Sequence, residues 1–127
     1  MKVINTTKAP AAIGPYSQAI AANGLLFTSG QIPVDPTTGL VVEGGIESQA
    51  RMVMENLKAV LLEADVDFSA VVKTTCFISS MDDFAAFNSV YSQYFTSDAK
   101  PARSCVAVKT LPKNALCEVE AIAVLGS

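Results

Sequence analysis

From Ile46 onward, apolar residues recur at every third or fourth position: Ile46, Ala50, Val53, Met54, Leu57, Val60, Leu61 and Ala64. That stripe predicts a long amphipathic helix, opened by Gly44 and Gly45 and closed before Asp65. MDDFAAFNSVYSQYF returns to the same period through Phe84, Phe87, Val90 or Tyr91, and Tyr94, with Ser80 or Asp82 as N-cap. Elsewhere the chain reads as strands. KVIN predicts a short edge strand, and the segments flanking Asn23-Gly24 predict a hairpin whose second strand, Leu25 to Ser29, stops at Gly30. DPTTGL is a polar turn, and AVVKTTCFIS, RSCVAV and LCEVEAIAVL predict three more strands. The order β-β-β-α-β-α-β-β predicts an α+β fold, a mixed sheet with two helices on one face. No helix remains for the opposite face, although alternation leaves apolar side chains on it.

Composition sharpens that picture. The 127 residues form one expected domain, 1–127, without repeat or linker. Half of them are hydrophobic and only 17% charged, below the roughly 25% usual for soluble domains. A compact domain with short loops would explain the excess. So would apolar surface covered by a partner subunit, and the uncovered sheet face favours that second reading. No apolar run approaches the ~20 residues of a membrane span, and the amino terminus lacks the apolar core of a signal peptide. Cys76, Cys105 and Cys117, an odd number in strand-like runs, are expected as small buried hydrophobes in a reducing, cytoplasmic compartment. The net charge is −3 and no basic stripe is interleaved with aromatics, so nucleic acid is not an expected partner. Without histidine, C-x-x-C or a tight carboxylate cluster, there is little from which to build a metal site.

Three polar features stand in apolar surroundings. Arg103, at the mouth of the strand PARSCVAV, either caps a helix end or pairs with a surface acid, or it captures an anion through its planar, paired donors. Glu118 and Glu120 share one strand face; both could face solvent, whereas a glutamate desolvated beside a bound carboxylate would gain a pKa suited to proton transfer. In TSGQIP, residues 28–33, Gly30 permits close backbone approach to a ligand, or simply ends the strand. A catalytic Cys105 thiol is disfavoured, because no imidazole base exists and an apolar strand raises a thiol's pKa.

GPYSQA (14–19), TSGQIP (28–33), ENLKAVL (55–61), PARSCVAV (101–108) and EVEAIAV (118–124) together resemble the RidA or YjgF-type reactive-intermediate deaminase family across nearly the whole chain. The resemblance implies a chorismate-mutase-like fold and a homotrimer with inward-facing sheets forming a barrel and pockets between subunits. It implies cofactor-free hydrolysis of enamines and imines such as 2-aminoacrylate, small substrates with a carboxylate, to 2-keto acids and ammonia. Carried onto this chain, it makes Arg103 the carboxylate clamp and Glu118 the group that holds and activates water or protonates the departing nitrogen. Tyr16, Ser29, Gly30, Gln31, Asn88 and Cys105 would line the pocket, Cys105 through its carbonyl, and no metal is implied. Cys117 before the glutamate and Ala107 after the pocket strand depart from the family's usual aliphatic and acidic residues. A trimeric, non-catalytic sensor of small keto acids or amino acids is the alternative.

Overall fold

In the computed structural model, which describes residues 1–126, six strands and two helices alternate in the expected order. They are β1 (Lys2–Ile4), β2 (Ala19–Ala22), β3 (Leu25–Thr28), α1 (Ile46–Glu63), β4 (Val71–Ile78), α2 (Phe84–Tyr91), β5 (Ala102–Ala107) and β6 (Cys117–Val124). All six strands join one sheet in the order β1-β2-β3-β6-β4-β5. Asn23 and Gly24 both adopt left-handed φ, 53° and 75°, the twist that a two-residue hairpin between β2 and β3 requires. β4 and β5 run parallel, linked through α2, while β6 inserts antiparallel between β3 and β4. The mixed sheet and α+β class match expectation.

The helices end where their backbone partners run out. Gly45 is the N-cap of α1, and Asp65 at φ 60° turns the chain away after it. α2 is shorter than its period predicts. It covers only Phe84–Tyr91, and the flanking residues Met81–Asp83 and Ser92–Tyr94 wind more tightly into 3-10 turns. Of the two expected caps, Ser80 caps only the leading 3-10 turn, its hydroxyl accepting from the Asp82 N–H at 3.1 Å, while the N-cap of α2 itself is Asp83, without a side-chain bond.

Both helices cover one face of the sheet. Leu26, Val53, Met54, Leu57, Val60, Leu61, Ile78, Phe87 and Val119 are fully enclosed there, each side chain stabilising by about 1.5–3 kcal/mol. Cys76 and Cys117 join this core, where burial pushes both thiols up to about 12. Cys105 departs from the expectation of burial: it lies on edge strand β5, which has a neighbour on one side only, and is half-exposed.

Two buried amides tie the loops that carry the site. Gln18 Nε2 donates to the Thr6 and Pro10 carbonyls at 3.0 and 2.8 Å, and its Oε1 accepts from the Thr6 N–H at 2.7 Å. Asn56 Nδ2, on α1, donates to the carbonyls of Ile32 and Val34 at 3.1 and 2.9 Å. The opposite sheet face keeps Val3 58%, Phe27 42%, Val106 46% and Val124 47% exposed, so its apolar residues stay uncovered within this chain. Among the described residues no helix is long and apolar enough to cross a membrane.

Candidate active site

Arg103 is the second residue of β5 and pairs in register with Thr74 of β4, which directs it toward the helices. There its Nη1 donates to Asn88 Oδ1 at 2.6 Å. Its Cζ lies 4.7 Å from the ring centroid of Tyr91 and 5.6 Å from that of Phe84. Phe84, Asn88 and Tyr91 stand four and then three residues apart, so one stripe of α2 surrounds the guanidinium. Tyr91 OH and Thr74 Oγ1 share a hydrogen bond of 2.8 Å, and burial raises the phenol's pKa. A groove of about 390 Å³ opens beside Arg103, lined also by Asn88, Tyr91, Phe95, Lys100 and Pro101. Lys100 is engaged elsewhere, donating to the Phe95 and Ser97 carbonyls at 2.9 and 2.6 Å, which leaves Arg103 to meet an anion. Cys105 follows on the same strand face, in register with Cys76; burial raises its thiol's pKa against the pull of Arg103.

Glu118 is positioned differently. It is the second residue of β6, in register with Phe77, and points to the face away from the helices. The carboxylate is half-buried and has no hydrogen-bond partner among the described residues. Burial raises its pKa, and the nearby Glu120 charge adds to the effect. Gly30 packs directly on it: a Cβ at position 30 would overlap the Glu118 carboxylate. This is the close approach the glycine serves, and two bonds hold the register. Gln31 N–H donates to the Val119 carbonyl at 2.8 Å, and Val119 N–H donates to the Gln31 carbonyl at 3.2 Å.

Gly30 and Gln31 also line a cavity of about 500 Å³ with Tyr16, Ile13, Ile32 and Lys113. Tyr16 is exposed, and its hydroxyl accepts from the Ile13 N–H at 3.4 Å. Ser29 is turned inward, its hydroxyl donating to the Ser17 carbonyl at 2.5 Å, so in this state it supports the loop.

The residues singled out from the sequence thus fall into two groups. Arg103, Asn88 and Cys105 gather on the helix side of β5, whereas Gly30 and Gln31 lie against Glu118 and Val119 at the start of β6, Tyr16 shares a cavity with Gly30 and Gln31, and Ser29 is bonded to the Ser17 and Gln18 carbonyls. Arg103 and Glu118 project from opposite faces of the sheet and do not meet within one chain. Sequence reasoning missed Tyr91, Phe84 and Thr74 as companions of Arg103. The helical spacing of Phe84, Asn88 and Tyr91 was the available signal.

An α+β sheet with two helices on one face, an arginine on its edge strand and a desolvated glutamate on its central strand define the class. The family model described as Endoribonuclease L-PSP matches residues 6–125, and the chain belongs to this L-PSP, or YjgF, family. A RutC family protein of Synechocystis is 56% identical over 126 residues, covering 98% of this chain and 97% of that protein. The 2-iminobutanoate/2-iminopropanoate deaminase of Mus musculus is 46% identical over 125 residues, covering 98% and 92%. The crystal structure of E. coli TdcF with bound serine is 44% identical with a TM-score of 0.93, covering 99% of this chain and 100% of that one.

Proposed function

We propose that this chain is a cofactor-independent deaminase of small enamines and imines bearing a carboxylate, working as a homotrimer with its sites between subunits. The carrying observation is Arg103, a half-buried guanidinium held in place by Asn88 and the α2 aromatics at the lip of a groove. Hydrogen bonds to a charged group contribute roughly 1.5–3 kcal/mol each, enough to orient a small acid. The mouse relative's name supports the reaction, and the separation of Arg103 from Glu118 supports the assembly. Both halves of the site exist in every chain but on opposite sheet faces, so a second copy supplies the missing half. The uncovered apolar face, with Phe27, Val106 and Val124, is the surface such a trimer would enclose as a barrel.

In this reading the enamine is protonated on carbon to give the imine, whose carbon is electrophilic. Glu118 takes a proton from water as the oxygen attacks that carbon and passes it to nitrogen, giving a carbinolamine. It then takes the carbinolamine hydroxyl proton and delivers it to the same nitrogen as the carbon–oxygen double bond forms and the carbon–nitrogen bond breaks. Ammonia leaves and a 2-keto acid remains. Such a step needs positioning and modest base help, which a carboxylate of raised pKa provides. Tyr16, Gly30, Gln31, Asn88 and Cys105 would line the pocket. Ribonuclease chemistry, suggested by the family model's description, fits poorly with a net charge of −3 and no histidine.

The test is hydrolysis of 2-aminoacrylate generated in situ by a serine dehydratase, comparing the native chain with Arg103→Ala. Faster pyruvate formation by the native protein, lost in a mutant that folds and assembles alike, supports the proposal. A well-folded native trimer that binds 2-oxobutanoate without accelerating hydrolysis would make it a ligand sensor. A native protein that sediments as a monomer overturns the shared site.

A further inference from the structure

We propose that Tyr91 is a positioning residue for substrate binding: its ring face, anchored through Thr74, carries the Arg103 guanidinium and holds it pointed into the groove before any ligand arrives. The inference rests on Arg103 being the carboxylate clamp and goes on to say what sets its geometry. Asn88 Oδ1 receives a hydrogen bond from the Arg103 guanidinium at 2.6 Å, and the Tyr91 phenol oxygen also lies within reach of the same cation. The Asn88 bond fixes a point and leaves the plane free to swing. The plane is set instead by Tyr91, whose ring centroid is 4.7 Å from Cζ, with Phe84 at 5.6 Å on the same helix stripe.

A guanidinium resting on an aromatic face is attracted by the ring's quadrupole while its N–H donors, which lie in the guanidinium plane, stay available to a carboxylate. Asn88 occupies one edge, and the donors turned away from Asn88 and the Tyr91 phenol oxygen serve the ligand. The ring itself is fixed at both ends. Tyr91 lies in the core against Phe87 and Phe95, with ring centroids at 5.8 and 4.6 Å, and its hydroxyl meets Thr74 Oγ1 at 2.8 Å. Thr74 is also the register partner of Arg103 across β4 and β5, so one strand pair sets the heights of the ring's anchor and of the cation. Burial keeps the phenol protonated, leaving a neutral ring under the cation. Such pre-organisation lowers the side-chain ordering that binding must otherwise impose.

The proposal separates ring electrostatics from ring shape. Whole native protein would be compared with Tyr91→Phe, with pentafluorophenylalanine at position 91 and with Tyr91→Leu. Titration with 2-oxobutanoate reads the Kd, and 2-aminoacrylate turnover reads KM and kcat. The expected result is a Tyr91→Phe protein within about twofold of native Kd, with about tenfold weaker binding for the fluorinated ring and at least that for leucine. KM should rise in the same order, kcat should stay level, and the fluorinated and phenylalanine proteins should melt together. Equal Kd for those two rings, at equal stability, overturns the role, because a core filler depends on shape alone. If native protein binds 2-oxobutanoate but hydrolyses nothing, the deaminase reading fails while the binding series still decides the role of Tyr91. If native protein binds no 2-oxobutanoate at all, the clamp and its positioning residue fall together.

Discussion

The two halves of the candidate site treat their charged groups in opposite ways. Arg103 is surrounded by partners, an amide oxygen on one edge and aromatic faces alongside. Glu118 is given space and a glycine, with burial and a like charge pushing its pKa up. In the proposed site the anion clamp is fixed in orientation by those partners. In the proposed reaction Glu118 gains and loses a proton within one turnover, and it is left without the donors that would lock it ionised. On that proposal, a chain without histidine relies on a carboxyl whose pKa burial and a like charge have raised.

The strongest way to break this contrast is Glu118→Gln, which keeps the shape and removes the exchangeable proton. The expected loss is in kcat, about a hundredfold or more, with 2-oxobutanoate affinity nearly unchanged. Arg103→Ala should do the reverse, raising KM and the 2-oxobutanoate Kd by about tenfold to a hundredfold, and Arg103→Lys should recover only part because the planar fork is gone. Gly30→Ala tests the glycine: its Cβ would displace the Glu118 carboxylate, lowering kcat by about tenfold while leaving the Arg103 half intact, as steady-state kinetics would reveal. The smallest effect is on stability. Because the folded pKa of Glu118 is raised, the folded chain binds its proton more readily than the unfolded chain between the ordinary carboxylate range and that raised value. Native stability therefore falls as pH rises through this window and levels off above it. Glu118→Gln should remove that slope and melt slightly higher at pH 7, by less than about 1 kcal/mol for a half-exposed group. Unfolding scans at pH 4 and 7 would read it.

Much of the fold was legible because the apolar period changes cleanly, from three or four along α1 to two along β6, and because Asn23-Gly24 specifies its own turn. Strand order was not legible. Which strands neighbour β6 depends on how the faces of β3, β4 and β6 pack against α1, and no local pattern encodes that. The site divides in the same way. Arg103 and Glu118 were conspicuous as charges among apolar residues, yet their placement on opposite faces follows from the β4–β5 and β4–β6 registers. The helical spacing offers Tyr91 only as an alternative to Val90 on the apolar stripe. Tyr91 is core, and only the packing of α2 on β5 reveals the cation on its face.

One feature of the topology bears on how the chain is made. β6, the last of the six strands in chain order, sits in the middle of the sheet and pairs with both β3 and β4. Until it emerges, the nascent chain holds two fragments, a three-stranded meander and a β4-α2-β5 unit, each with a bare strand edge where β6 belongs. The sheet is therefore closed only once β6 has been made, and a premature stop anywhere before Cys117 leaves two sticky half-sheets instead of a smaller working protein.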